Sequence, residues 1–84
     1  MGDLMPAQSR LACLCCGCKT LATRGEYDIC PVCFWEDDPE QGDPDEVNDC
    51  NGVRLTEARE NYRKFGACQV EMIPYVRKPK ESEL

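Results

Sequence analysis

Two pairs of cysteines with the spacing of metal ligands occur in a chain that contains no histidine. Cys13 and Cys16 form one Cys-x-x-Cys step, Cys30 and Cys33 form a second, and 13 residues separate Cys16 from Cys30. Each step places two thiols on one side of a tight turn, and tetrahedral Zn²⁺ accepts four thiolate sulfurs at about 2.3 Å. The spacing therefore predicts one zinc site per chain, with Cys13, Cys16, Cys30 and Cys33 as its ligands.

The first of these two metal-binding turns, or knuckles, offers an alternative pair of thiols. Cys15 and Cys18 also form a Cys-x-x-Cys step, so the choice of ligands there stays open between two pairs. Gly17 favours Cys13 and Cys16, because a glycine directly after the second ligand lets the chain turn back with its amides facing the thiolates.

The last two cysteines are predicted to lie outside the metal site. We expect Cys68 to be buried as a small apolar side chain beside a helix end. Cys50 lies in a polar turn, where we expect an exposed thiol that oxidises readily.

The length of the chain indicates a single domain that needs a metal to fold. At 84 residues it buries too little apolar surface to be comfortably stable. A structural zinc contributes about 10–16 kcal/mol of apparent binding free energy, more than the stability of a typical small domain. We predict a metal-stabilised domain over residues 11–78, after a flexible leader, 1–10, and before a frayed tail, 79–84.

The cysteines also bear on the compartment. Eight cysteines would suit a secreted disulfide scaffold, but residues 1–12 lack the apolar core of a signal peptide. No stretch approaches the roughly 20 apolar residues that a transmembrane helix requires. Closely spaced thiols fit metal chemistry in a reducing compartment, so we expect a cytoplasmic protein that makes no membrane contact.

The formal net charge of −6 is concentrated in one segment. Residues 36–49 contain eight acids and no base, whereas the segments on either side are close to balanced. Pro39, Gly42 and Pro44 predict that this segment is an exposed loop. Because acidic surfaces repel nucleic-acid phosphates and attract basic proteins, we expect a basic protein partner and no nucleic-acid binding.

Short strands are predicted around the knuckles. Thr20–Thr23 is expected to leave the first knuckle as a strand, and Glu26–Ile29 alternates charged and apolar residues like an edge strand. Phe34 and Trp35 follow the second knuckle and are expected to cover the metal site. A further short strand is predicted over Val70–Val76.

One amphipathic helix is predicted in the C-terminal half. Thr56 is the expected N-cap, and Gly66 stands where a C-terminal glycine belongs. An apolar stripe recurs at helical spacing; its members are Leu55, Ala58, Tyr62 and Phe65. Trp35, Tyr62 and Phe65 are expected to tie the helix to the knuckles. The predicted fold is therefore small α+β: a zinc-ribbon-like pair of knuckles, short antiparallel strands and one C-terminal amphipathic helix.

These segments, taken together, resemble the bacterial cysteine-rich CPCC family over most of residues 11–79. The residues that carry the resemblance are Cys13-Leu14-Cys15-Cys16-Gly17, Lys19-Thr20-Leu21, the run from Arg24 to Asp38, Asn51-Gly52, Leu55 to Tyr62, Phe65-Gly66-Ala67-Cys68 and Arg77-Lys78-Pro79. Leu14 stands where the family has proline, and Cys18 where an aromatic residue is usual. The resemblance implies a small metal-binding module and no particular catalytic activity.

The function predicted from these features is a non-enzymatic, zinc-binding module for protein–protein interaction, and one form of it is a bacterial immunity or antitoxin protein. One alternative is a thiol-redox or electron-transfer protein that uses the Cys-x-x-Cys pairs, with iron as the metal in a rubredoxin-like carrier. Zinc is favoured because the knuckles are close in sequence and zinc is common in ribbons. A transcription or translation accessory ribbon is the other alternative, and the acidic charge disfavours it. The sequence leaves the oligomeric state open.

Overall fold

A computed structural model describes residues 10–84, in which the two paired strands belong to the first knuckle. β1 spans Leu11–Ala12 and β2 spans Lys19–Leu21; they pair antiparallel with an irregular register inside β1. The two strands form a hairpin whose loop carries the first four cysteines. The predicted strand Thr20–Thr23 is therefore shifted towards the knuckle, and the predicted leader lies outside the described residues except for Arg10.

The second predicted strand, Glu26–Ile29, is wrong, since only one bridge between Ile29 and Glu36 forms there. Tyr27 has a φ of 62°, in the left-handed region, and this interrupts an extended run. The Tyr27 amide nevertheless donates to the Asp37 carbonyl at 3.1 Å. The chain thus folds back around the second knuckle without forming a regular ladder.

The predicted helix is present as α1, Leu55–Phe65. Thr56 is not its N-cap, because extended Arg54 precedes the first turn and makes no side-chain capping bond. The Pro44 carbonyl accepts hydrogen bonds from the Thr56 amide at 3.1 Å and from its hydroxyl at 3.3 Å. Gly66 ends the helix with a φ of 82°, as predicted.

The apolar stripe of α1 meets the core over its first two turns. Leu55 and Ala58 are buried, and Tyr62 packs against the core while half-buried. Phe65 is 37 % exposed, so the prediction that it ties α1 to the knuckles is wrong. It lies almost a turn beyond Tyr62, at the end of the helix. Trp35 belongs to the core and has no exposed surface.

The segment after α1 differs from its predicted strand. Val70–Tyr75 is a 3₁₀ helix rather than part of an extended segment to Val76. Pro74 cannot donate a ladder hydrogen bond, and no paired strand within residues 10–84 lies beside this segment. No helix in the same range has the length and apolar character needed to cross a bilayer.

The C-terminal residues, predicted to fray, end in a 3₁₀ turn, Glu81–Glu83. The Arg77 guanidinium donates to both carboxylate oxygens of Glu83, at 2.9 and 2.8 Å, and Glu83 is buried. Local composition did not predict this bidentate ion pair, because its two residues are six positions apart in the sequence. The predicted domain boundaries of 11–78 stay a prediction.

The acidic segment 36–49 is only partly the exposed loop that we predicted. Asp37 and Asp38 are buried, at 1 % and 8 % exposure, and Asn48 is buried beside them. Asp38 accepts hydrogen bonds from the Glu40 amide at 2.8 Å and from the Asn48 side chain at 2.9 Å. Two of the eight acids therefore fold the loop, and the others are left at or near its surface.

Candidate metal centre

The first knuckle is a tight turn closed by backbone hydrogen bonds. The Cys13 amide donates to the Cys18 carbonyl, and the Gly17 amide donates to the Cys13 carbonyl, both at 2.9 Å. Gly17 has a φ of 81°, which a glycine adopts without steric strain. This turn directs the side chains of Cys13 and Cys16 to the same side.

The second knuckle repeats this pattern with a different residue at the turn. The Cys30 amide donates to the Trp35 carbonyl at 3.0 Å, and the Phe34 amide donates to the Cys30 carbonyl at 2.7 Å. Phe34 takes the place of Gly17, with a φ of 74°. A left-handed conformation costs a residue with a side chain about 1 kcal/mol, so the knuckle retains some backbone strain.

The two knuckles bring the four predicted ligands together. The sulfurs of Cys13, Cys16, Cys30 and Cys33 all lie within 4.8 Å of one another. Across the knuckles, the Cys13 and Cys33 sulfurs are 3.5 Å apart, and the Cys16 and Cys30 sulfurs are 3.7 Å apart. A tetrahedron with metal–sulfur bonds of about 2.3 Å has edges of about 3.8 Å. The cluster thus fits a tetrahedral metal ion with little movement.

Hydrogen-bond donors surround two of the sulfurs. The Cys18 amide lies 3.4 Å from the Cys16 sulfur, and the Val32 amide lies 3.4 Å from the Cys30 sulfur. The Thr20 hydroxyl lies 3.1 Å from the Cys30 sulfur and can donate to it as a thiolate. Such contacts stabilise thiolate ligands and orient them towards the metal.

Proton sharing makes the four thiols unequal. A hydrogen bond with Cys16 lowers the pKa of Cys13, and a hydrogen bond with Cys13 lowers the pKa of Cys30. Hydrogen bonds with Cys13 raise the pKa of Cys16 and the pKa of Cys33. A divalent cation bound to all four sulfurs would neutralise the thiolate charge and displace the thiol protons.

The rest of the fold closes over the site. Cys13, Cys30 and Cys33 are buried and Cys16 is half-buried, as is usual for structural rather than catalytic metal sites. Arg59 on α1 donates to the Leu14 carbonyl at 2.9 Å, so that the helix holds the first knuckle.

The second knuckle is held from the chain beyond α1. The Cys68 amide donates to the Cys33 carbonyl at 2.8 Å, and the Arg77 amide donates to the Pro31 carbonyl at 3.1 Å. Both knuckles are thus fixed by segments that are distant in the sequence.

The other four cysteines lie outside the four-sulfur cluster. Cys15 and Cys18 are buried in the core beside it. Cys68 is buried as predicted, and desolvation raises its pKa to about 12. Cys50 is exposed as predicted, but partial desolvation and a hydrogen bond to Asp38 raise its pKa, which leaves less of the reactive thiolate than expected.

Sequence reasoning missed several residues that support the site. Thr20 and Arg59 were not predicted to contact the knuckles, because each acts through one contact that only the folded chain creates. The buried carboxylate of Asp37 accepts 2.6 Å hydrogen bonds from the Arg24 guanidinium and the Gly25 amide, which holds the turn after β2. The sequence did not indicate which acid would accept the Gly25 amide hydrogen bond.

The chain is similar to a known protein family. A family model described as Cysteine-rich CPCC matches residues 11–83, a range that includes both knuckles, α1 and the C-terminal ion pair. No curated protein matches the chain at a significant level.

Proposed function

The chain belongs to the cysteine-rich CPCC family, and from this membership and the four-sulfur cluster we propose a zinc-binding module that acts by binding another protein. The observation that carries the proposal is the convergence of Cys13, Cys16, Cys30 and Cys33 within 4.8 Å. In this proposal the metal fixes the knuckles, the knuckles fix the surface, and the surface binds the partner.

Zinc is the metal that we propose for the site. All four candidate ligands are sulfur, and Zn²⁺ accepts a tetrahedral four-sulfur set without any redox change. Elemental analysis of protein purified without added metal should find zinc. Iron in its place would make the purified protein coloured and redox-active, and would favour the electron-transfer alternative.

The partner that we propose is a basic protein. Five acids of segment 36–49 are exposed: Glu40, Asp43, Asp45, Glu46 and Asp49. Within residues 10–84, none of these five carboxylates forms an ion pair with a lysine or arginine. Such a surface attracts a basic protein over a distance and speeds its capture. An immunity or antitoxin protein directed at a basic nuclease is one form that this function would take.

A matched pair of proteins tests this proposal. The zinc-loaded wild type is compared with the variant Asp43→Asn, Asp45→Asn, Glu46→Gln, Asp49→Asn, which keeps Asp37 and Asp38 and so preserves the folded loop. The association rate with a basic model protein, such as a small ribonuclease, should fall at least tenfold in the variant. The wild-type rate should also fall steeply as salt is raised.

Two results would contradict the proposal. Equal rates for the two proteins would show that the acidic surface is not used. Binding of DNA or RNA at physiological salt would favour the accessory-ribbon alternative, which a gel-shift measurement with the same samples detects.

We further propose that the protein is non-enzymatic and works in the cytoplasm. Its eight cysteines are free thiols in the structure, which suits a reducing compartment. The redox alternative is supported by one observation, the 3.5 Å separation of the Cys13 and Cys33 sulfurs, which would favour a disulfide once the metal is lost. Resistance of the zinc-loaded protein to mild oxidants would argue against that alternative.

A further inference from the structure

We propose that a groove beside the second knuckle receives an arginine side chain of the basic partner. This inference depends on the proposed function, because it specifies where that partner is bound. Besides Cys50 and Cys68, the groove is lined by three apolar residues, which we call its apolar wall, and three polar residues, which we call its polar wall: Ile29, Phe34 and Met72, and Glu36, Asn51 and Gln69. We call it the Glu36 groove.

The size of the Glu36 groove favours one side chain over a small metabolite. It holds about 80 Å³, whereas sites for drug-sized ligands and cofactors measure about 300–1,000 Å³. The end of a single long side chain fits into such a space. The groove is also open at the surface, so an extended segment of another protein can reach it.

The apolar wall leaves hydrophobic surface uncovered. Ile29 is 42 % exposed, and Phe34 and Met72 are half-buried. The 3₁₀ helix beside the groove adds exposed Ile73 and Tyr75. Uncovered apolar surface next to a polar wall is typical of a protein contact site, and the aliphatic stem of an arginine would cover it.

The polar wall supplies negative charge. The Glu36 side chain lines the groove, and within residues 10–84 it forms no ion pair with a lysine or arginine. Cys50 also lines the groove, and its pKa is sensitive to this charge. Desolvation and a hydrogen bond to Asp38 raise the pKa of Cys50 most, and the negative charges of Asp38, Glu36 and Asp49 raise it further. A cation entering the groove would therefore meet an uncompensated negative field.

The backbone around Glu36 is held in place before any partner arrives. The Glu36 amide donates to the Asn51 side-chain oxygen at 2.8 Å, and the Asn51 side-chain nitrogen donates to the Glu36 carbonyl at 3.1 Å. Gln69 in turn donates to the Asn51 carbonyl at 2.7 Å. A fixed wall lowers the ordering cost of binding.

Arginine fits this groove better than lysine. A guanidinium is planar, stacks on aromatic faces and pairs with a carboxylate through two hydrogen bonds, whereas an ammonium is a strongly hydrated point charge. Phe34 offers the aromatic face, and Glu36 offers the carboxylate. This role also accounts for the left-handed Phe34, where the first knuckle has glycine: the strain is retained because it presents a ring at the groove.

The test is an NMR titration of the zinc-loaded, ¹⁵N-labelled chain with three capped heptapeptides of glycine and serine. The central residue is arginine, lysine or the uncharged isostere citrulline. The arginine peptide should shift the amides of Glu36, Asn51, Gln69 and Met72 in a saturable way. Its association constant should exceed that of the lysine peptide at least threefold, and the citrulline peptide should not bind.

Two variants of equal charge make the test specific. Glu36→Gln should lower the association constant of the arginine peptide at least fivefold. The control is Glu57→Gln, because Glu57 is exposed in the first turn of α1 and does not line the groove. It should change the association constant less than twofold. Spectra of both variants before titration check that the fold is retained.

The outcomes separate this inference from the proposed function. Unshifted groove amides, equal binding of arginine and lysine peptides, or equal effects of the two variants would each overturn the arginine site. If binding of the basic model protein still depended on the acidic surface, the proposed function would stand without the arginine site. Shifts that depend on protein concentration without peptide would assign the groove to a second copy of the chain instead.

Discussion

At the scale of single residues, Thr20 and Phe34 make the second knuckle different from the first. Thr20 adds a hydroxyl 3.1 Å from the Cys30 sulfur, and Phe34 accepts a left-handed φ of 74° where the first knuckle uses glycine. One residue adjusts a ligand, and the other presents an aromatic ring at the surface. Each can be tested by a substitution that changes a single property.

Replacing Thr20 by valine should weaken zinc binding. Valine keeps the shape of threonine but removes the hydroxyl donor from the Cys30 thiolate, and the loss of such a supporting contact typically costs about 10–100-fold in metal affinity. Competition with a chromophoric chelator measures the affinity. Thr23→Val, which removes an exposed hydroxyl that donates to Asp28 at 3.1 Å, is the matched control and should change the zinc affinity little. Equal affinities for the Thr20→Val variant and the wild type would contradict this role.

At position 34, a glycine variant should be more stable than an alanine variant, which is the reverse of their usual order of stability. Both substitutions lose the ring contact with Tyr75, whose centroid lies 5.7 Å away. Only glycine also relieves the left-handed strain of about 1 kcal/mol. Urea unfolding of the zinc-loaded variants should therefore find Phe34→Gly more stable than Phe34→Ala by about that amount. A more stable alanine variant would show that the conformation is not strained.

At the scale of elements, the parts of the fold that were predictable are those specified by local sequence. The Cys-x-x-Cys spacing placed the four sulfurs, and Gly66 placed the end of α1. The 3₁₀ helix Val70–Tyr75 was not predictable, because its apolar residues suit a strand and only the lack of a neighbouring strand in the described fold decides against one. Asp37 likewise owes its burial to Arg24 and Gly25, which are distant in sequence.

The C-terminal 3₁₀ turn should contribute stability that depends on pH. Arg77 lowers the pKa of Glu83 to about 2, from an ordinary value of 4.5. A lowered folded-state pKa contributes stability above pH 4.5, which is lost as the pH falls towards 2. At pH 7, Glu83→Gln should lower the melting temperature of the zinc-loaded protein by about 2–4 °C.

The pH dependence of this difference is the sharper test. The gap between the wild type and Glu83→Gln should narrow as the pH falls below 4.5, down to the lowest pH at which both proteins retain their metal. Glu81→Gln, on an exposed neighbour in the same turn, should leave the melting temperature nearly unchanged. A gap that does not vary with pH would mean that the Arg77 ion pair is not its source.

At the scale of the whole molecule, the four-sulfur cluster joins segments that share little regular structure. Only two short strands pair within residues 10–84, so backbone ladders contribute little to the fold. The hairpin, the second knuckle and the chain beyond α1 instead meet around the sulfurs. A structural zinc bound there would supply free energy comparable to the whole stability of a small domain. Removal of the metal should therefore unfold the chain rather than loosen one loop.

Trp35 provides a direct signal for that unfolding. It is the single tryptophan of the chain and has no exposed surface. Addition of a strong chelator should shift its fluorescence to longer wavelength as water reaches the indole, and added zinc should restore the original spectrum. Fluorescence that is unchanged after complete loss of metal would show that the core folds without it.

The most direct test of the metal centre is native mass spectrometry of the wild type and two double variants purified without added metal. We expect one zinc per chain for the wild type and for Cys15→Ser, Cys18→Ser, whose thiols lie outside the four-sulfur cluster. We expect loss of zinc and of the folded charge-state distribution for Cys13→Ser, Cys16→Ser. Zinc lost from the first double variant and kept by the second would transfer the site to the alternative pair. A metal-free wild type with intact disulfides would contradict the metal centre itself.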